Sequence, residues 1–139
     1  MGLDVGTKRI GVAVSDETGT LAQGRCVVLR TSDNKALAEL GRMIKEFAAS
    51  LVVVGLPLNM NGTKGERAAD AEKLGKKISE SIGVEVVFWD ERLSTKEVED
   101  ILIASSVRRD KRKGLLDKMA AQVILQSYLD SGHGDKALS

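Results

Sequence analysis

Two short apolar runs, Gly2–Val5 and Ile10–Val14, flank a Gly6-Thr7-Lys8-Arg9 link at the start of the chain. Runs of that length on either side of a glycine-led link predict a β-hairpin, because glycine reaches turn conformations that other residues resist. The hairpin constrains the rest of the chain, since Asp4 stands inside its first apolar run. A carboxylate placed there needs backbone donors, a cation or a metal to offset its lost hydration. Gly6, two residues on, leaves room for a ligand or another backbone to come close. An Asx-type turn would account for Asp4 alone but not for the carboxylates met further along.

Leu21–Leu29 gives a third strand after the polar turn Ser15–Thr20, and such short links favour an antiparallel meander. Ser32 or Asp33 can cap the next segment, where Leu37, Leu40, Ile44 and Phe47 recur at helical intervals. Leu51-Val52-Val53-Val54 has no polar break, as in a strand covered on both faces. Pro57 closes it and opens the polar loop Leu58–Arg67 at the strand's carboxyl end, the edge where open α/β sheets collect ligands. A helix with Ala71, Leu74, Ile78 and Ile82 on one face comes next and ends at Gly83. Val84–Trp89 is then a fifth strand that runs straight into Asp90-Glu91-Arg92.

Ser94-Thr95-Lys96-Glu97 is a capping box for a helix burying Val98, Ile101 and Leu102. Ser105–Gly114 breaks the apolar pattern and reads as a basic loop, with Arg108, Arg109, Lys111, Arg112 and Lys113. A final helix is expected from about Leu115 to Leu129, with Leu116, Met119, Ala120, Val123 and Tyr128 turned inward. Right-handed crossovers make strands one, four and five parallel, and the third strand can lie only beyond the second. The expected fold is therefore α/β, a five-stranded mixed sheet in the order 3-2-1-4-5 flanked by helices. One domain over residues 1–130 and a flexible tail over 131–139 complete the organisation.

This topology sets Asp4 beside the Asp90-Glu91-Arg92 turn at one edge of the sheet. Asp117 joins them as a carboxylate beside Leu116 and Met119, in the expected first turn of the last helix, where the helix dipole is its alternative explanation. Carboxylates that converge repel one another unless cations sit between them. Hard oxygen ligands suit Mg²⁺ or Mn²⁺, and a pair of such ions can activate water and stabilise the leaving oxygen of a phosphodiester. Asp4, Glu91 and Asp117 are thus the candidate catalytic and metal-ligating residues. The lone Cys26 and the lone His133 have no partner arrangement for catalysis.

With 21 basic and 20 acidic residues the formal charge is +1, so any nucleic-acid surface must be a local patch. Lys8, Arg9, Arg92, Arg108 and Arg109 are the candidates for backbone phosphates, a solvated loop being the alternative for the 108–113 run. Aromatic residues are 3% of the chain, which disfavours a base-stacking platform and favours recognition of backbone shape. The single cysteine suits a reducing compartment, no apolar stretch reaches membrane-spanning length, and no signal-peptide pattern precedes the first strand. A cytoplasmic protein is expected.

Four motifs carry a resemblance: Asp4–Ala13, Gly55-Leu56-Pro57-Leu58-Asn59, Asp90-Glu91-Arg92-Leu93-Ser94 and Asp117-Lys118-Met119-Ala120-Ala121. In this order they resemble the signatures of the YqgF family, relatives of the RuvC-type Holliday-junction resolvases, and Ile124–Leu129 agrees as well. The resemblance implies an RNase H-like fold and a divalent-metal nuclease that processes the 5′ end of precursor 16S rRNA. It sets Asp4, Glu91 and Asp117 at the family's acidic positions. A Holliday junction resolvase and a non-catalytic RNA-binding module of ribosome assembly remain as alternatives. Asp4-Val5-Gly6-Thr7 also resembles the phosphate loop of the actin and sugar-kinase group, but those proteins duplicate the fold and 139 residues are too few for two copies. Expected partners are structured RNA or branched DNA and no membrane, with the chain a monomer or a weak dimer.

Overall fold

β1 (Gly2–Val5) pairs antiparallel with β2 (Arg9–Ser15), placing Gly2 opposite Ala13 and Asp4 opposite Gly11. The Gly6 N–H donates to the Arg9 carbonyl at 2.8 Å and closes the link between them. The computed structural model describes residues 1–93 and 109–131; of Leu93 and of 109–115 the backbone alone is described. The expected capping box and helix after Leu93, Arg108, His133 and residues 132–139 of the expected tail lie outside the described residues.

β3 (Ala22–Leu29) continues the meander on the far side of β2, with a register shift that leaves Arg25 as the extra residue between Gly24 and Cys26. The Ser32 side chain accepts from the Lys35 N–H and caps α1 (Asp33–Glu46), which buries Ala36, Leu40, Met43 and Ile44. β4 (Leu51–Leu56) enters parallel beside β1, Leu3 next to Val54. α2 (Glu66–Ile82) buries Ala71, Leu74 and Ile78 and ends at Gly83, whose φ of 78° is the left-handed cap that glycine adopts freely. β5 (Glu85–Asp90) lies parallel to β4, with Leu56 beside Asp90. The sheet order is β3-β2-β1-β4-β5, as the connections predicted.

Alternation along the strands sends residues to two cores. On one face Leu3, Val5, Ile10, Val12, Val52, Val54 and Leu56 pack with α1 and α2. On the other, Ala13, Val53 and Trp89 pack with Ala121, Ile124, Leu125 and Tyr128 of α3 (Arg109–Asp130). Trp89 donates from Nε1 to the Ser127 hydroxyl at 3.0 Å and meets Tyr128 edge-on, ring centres 5.6 Å apart.

α3 corrects two expectations. It begins at Arg109 instead of about Leu115, so Arg109–Lys113 is helix and not loop. Arginine and lysine are good helix formers, yet they carry no apolar period that would mark where the helix starts. Asp117 consequently sits more than two turns into α3 and not in its first turn, which removes the helix dipole as its explanation. Leu116, Met119 and Val123 are half-buried, while Ala121, Ile124 and Leu125 form the inner face.

The helix reaches the sheet through missing side chains. A Cβ on Gly11 would lie 2.0 Å from the Asp117 carbonyl oxygen, and one on Gly2 would lie 2.7 Å from Leu125 Cβ. Side-chain amides of α3 also close half of the β3 edge. The Gly24 N–H donates to Gln122 Oε1 and the Ala22 N–H to Gln126 Oε1, each at 2.8 Å. Gln126 Nε2 returns a bond to the Thr20 carbonyl at 2.8 Å. Among the described residues no helix is long and apolar enough to cross a membrane.

Gly11→Ala should therefore lower stability by about 1–3 kcal/mol through overpacking. Gly41→Ala is the contrast, since its new Cβ would meet only Ile82, with Cδ1 at an ordinary 3.5 Å, inside α1. That substitution should raise stability by about 0.5–1 kcal/mol. Urea denaturation of both variants checks the pair, and equal shifts would contradict the packing account.

Candidate active site

Asp4 points to the α3 side of the sheet: Leu3 and Val5 on either side of it belong to the opposite core, and its cross-strand partner is Gly11. Glu91 comes directly after β5 in a single 3₁₀ turn, Glu91–Leu93, and folds back over β4. Gly55 makes that possible, because a Cβ there would lie 2.8 Å from Glu91 Cγ and 2.6 Å from Ile124 Cδ1. The half-buried Asp4 and the buried Glu91 carboxyl groups share a hydrogen bond.

Burial is the main reason that both acids titrate above the usual carboxylate range. Glu91 is pushed up to about 9 by burial and then by the charge and hydrogen bond of Asp4. Asp4 is raised by burial and further by the charge of Asp117, while its bond to Glu91 and the charge of Arg67 pull it down. Arg67 acts on Glu91 in the same downward sense. Near neutral pH the pair thus holds a proton between its oxygens.

Asp90 shows the opposite behaviour one residue away. Arg92 donates to it from Nε at 3.0 and 2.9 Å and from Nη2 at 2.6 Å, which holds the carboxyl below its ordinary range despite burial. Arg92 Nη1 also donates to the Met60 carbonyl at 3.2 Å, fastening the Asn59–Gly65 loop to this turn. Inside that loop Asn61 Oδ1 accepts from the Thr63 N–H at 3.1 Å, and the Gly62 N–H donates to the Asn59 carbonyl at 2.8 Å.

Asp117 Oδ2 accepts from Arg9 Nε at 2.8 Å. The structure therefore joins Asp4 and Glu91 directly and brings Asp117 within electrostatic reach of Asp4, but bonds Asp117 to Arg9. Among the described residues no group of three or more His, Cys, Asp or Glu is arranged to hold a metal ion. The Asp4–Glu91 donor set nonetheless fits a hard cation: it is all oxygen, largely dehydrated, and held together by a proton that a cation can displace.

Of the predicted phosphate binders, Lys8 is exposed and makes no ion pair among the described residues, whereas Arg9 and Arg92 are engaged by carboxylates. For Arg109 the structure describes the helix backbone alone. Two cations escaped the reading of the sequence. Arg30, with its side chain 8% exposed, grips Asp70 with both Nη atoms at 2.5 and 2.8 Å, Asp33 from Nε at 2.9 Å, and the Gly6 carbonyl from Nη1 at 3.0 Å. Its backbone N–H donates to the Lys8 carbonyl at 2.8 Å, so Arg30 pins both ends of the β1–β2 link. Arg67 is the second. Nothing in the local pattern around either residue marks it, because the groups they act on are far away in sequence.

A five-stranded mixed sheet of this order flanked by helices is the fold of RuvC, an RNase H-like fold. The RuvC of T. thermophilus solved with a Holliday junction substrate superposes with a TM-score of 0.62 at 18% identity, covering 99% of this chain and 97% of that one. A Fowlpox virus resolvase solved with Holliday junction DNA gives a TM-score of 0.53 at 12% identity, covering 94% and 95%. A sequence profile described as "RuvX: Holliday junction resolvase" matches residues 1–131, and the chain belongs to that family. Proteins described as "Putative pre-16S rRNA nuclease" are similar over nearly their whole length. That of Syntrophomonas wolfei is 46% identical over 132 residues, 95% of this chain and 94% of the relative. That of Geobacillus kaustophilus is 50% identical over 133 residues, 94% of this chain and 96% of the relative.

The shared proton has a consequence for stability. Both carboxyl groups titrate higher in the fold than at their unfolded values of about 4, so the folded state binds the extra proton. Stability then falls as pH rises from about 4 through Glu91's value of about 9. In EDTA, Asp4→Asn should flatten that decline and stabilise the protein by about 0.5–2 kcal/mol at pH 8. Denaturation curves across the pH range test this, and a variant less stable than wild type at pH 8 would contradict it.

Proposed function

We propose that the chain is a divalent-metal-dependent nuclease of the cytoplasm that hydrolyses phosphodiester bonds in precursor 16S rRNA. The observation that carries this reading is the hydrogen-bonded Asp4–Glu91 pair at the carboxyl edge of the central strands, where burial raises both acids above the usual carboxylate range. The names of the relatives from Syntrophomonas wolfei and Geobacillus kaustophilus support the substrate.

Asp4 and Glu91 would hold Mg²⁺ or Mn²⁺, with Asp117 as the third ligand. A divalent ion bound there supplies a water of lowered pKa and stabilises the charge on the leaving oxygen. Glu91 must give up its proton first. Arg9 keeps the Asp117 carboxylate oriented from one side, and Arg92 keeps Asp90 out of the ligand set by engaging both its oxygens. Arg30 fixes the link that presents the exposed Lys8 to substrate, and Lys8, Arg108 and Arg109 are the proposed contacts to backbone phosphates.

Cleavage of a precursor 16S leader RNA beside a four-way DNA junction tests the reading, with Asp4→Asn as control. The RNA should be cut only when Mg²⁺ or Mn²⁺ is present, and Asp4→Asn should lose cleavage while still binding. The family's description as a resolvase favours the junction as second reading, so preferential cutting of the junction would replace the rRNA assignment. Binding without cleavage of either substrate would instead leave a non-catalytic RNA-binding module.

Metal binding itself should be proton-linked. Because Glu91 is protonated at pH 7, each binding event should release about one proton. Calorimetric titration with Mn²⁺ in buffers of different ionisation enthalpy measures that number. Heats independent of the buffer would refute it.

A further inference from the structure

Arg67 lies in the first turn of α2, which starts where the loop from the carboxyl end of β4 returns to the sheet edge that carries Asp4 and Glu91. It is exposed, and among the described residues it makes no hydrogen bond and no ion pair. It lines an open cavity of about 450 Å³ with Thr7, Arg30, Asp33, Glu66 and Asp70. Most other charges there are already matched: Arg30 to Asp70 and Asp33, and Asp33 also to Lys77 at 3.3 Å. Arg67 and Glu66 are the charges of the cavity that have no ion pair among the described residues.

Among the described residues no hydrogen bond or ion pair ties this exposed guanidinium into the fold. Its place is nonetheless special, since its charge is felt by both Asp4 and Glu91. Arginine's planar fork suits phosphate oxygens, and a threonine hydroxyl can donate to the same group. The Thr7 hydroxyl belongs to the link that Arg30 holds rigid.

We propose that Arg67, together with Thr7, holds a backbone phosphate of the substrate next to the one that is cut, on the α2 side of the Asp4–Glu91 pair. The assignment rests on the nuclease reading above for the identity of the scissile phosphate, but the contact itself can be measured without cleavage.

Binding of a labelled precursor 16S leader RNA, and in parallel of a four-way DNA junction, is followed by fluorescence anisotropy on the Asp4→Asn protein from 50 to 200 mM salt. Losing one phosphate contact lowers the slope of log affinity against log salt by about 0.7–0.9, so Arg67→Gln should lose about threefold less affinity across that range. Arg67→Lys should restore the slope, because a point charge still meets the phosphate. Glu66→Gln should tighten binding by removing a like charge. In the enzyme with Asp4 intact, Arg67→Gln should raise KM, and Arg67→Lys should restore it.

An unchanged salt slope in Arg67→Gln overturns the proposal. So does a displaced pH profile with the slope intact, which would make Arg67 only an electrostatic balance for Asp4 and Glu91. Should Arg67→Gln fail to fold, Glu66→Gln decides, and an affinity equal to that of the protein with Glu66 in place overturns the contact. Arg67-dependent binding in a chain that never cleaves RNA or junction would sink the nuclease reading and leave the contact standing.

Discussion

The approach of α3 to β2 is the constraint on which the rest of the structure depends. A hydrogen in place of a methyl group at Gly11 lets the Asp117 backbone lie against the sheet. Gly55 repeats the device for the Glu91 side chain on β4. Both positions adjoin Asp4's strand, one in antiparallel and one in parallel pairing with its neighbours. Acids from the beginning, middle and end of the chain are thereby drawn to one edge by space left unfilled, and no attraction among the acids is required. Their mutual repulsion is instead carried by the packing energy of two apolar cores.

Within that edge, the presence of a guanidinium decides how each acid behaves. Asp90 and Glu91 are consecutive and both buried, yet one is held below the ordinary range and the other far above it. Arg92 donates to Asp90 in a fork, whereas Glu91 faces another carboxyl group. Arg30 does similar service for the Asp33–Asp70 pair. The arginines thus sort the acids into those locked as fold elements and those left protonated and exchangeable. Pairs pushed apart in this way are characteristic of reactive sites.

Much of this was legible in the residues. Period-two strands, helical spacing in α1 and α2, and short connections were enough for the sheet order, because right-handed crossovers leave no other arrangement. The meeting of Asp4 with Glu91 came out of that order, since both end strands that share an edge. The start of α3 did not, because Arg109–Lys113 has helix-forming residues without an apolar rhythm. Arg30 and Arg67 were invisible for another reason: Arg30 bonds Asp70 across 40 positions of sequence, and Arg67 acts on acids that only folding brings near. The bond between Arg9 and Asp117 was hidden for the same reason.

The two glutamines of α3 have a wider meaning. β3 is an outer strand, and outer strands invite a foreign strand to continue the ladder. Gln122 and Gln126 occupy the outward N–H groups of Gly24 and Ala22 with amides that imitate a neighbouring backbone. The last helix is therefore also a guard against polymerisation. Any lesion that lets its carboxyl-terminal half lift away would uncover a sticky margin at the same moment that it disturbs the acids, coupling loss of chemistry to self-association.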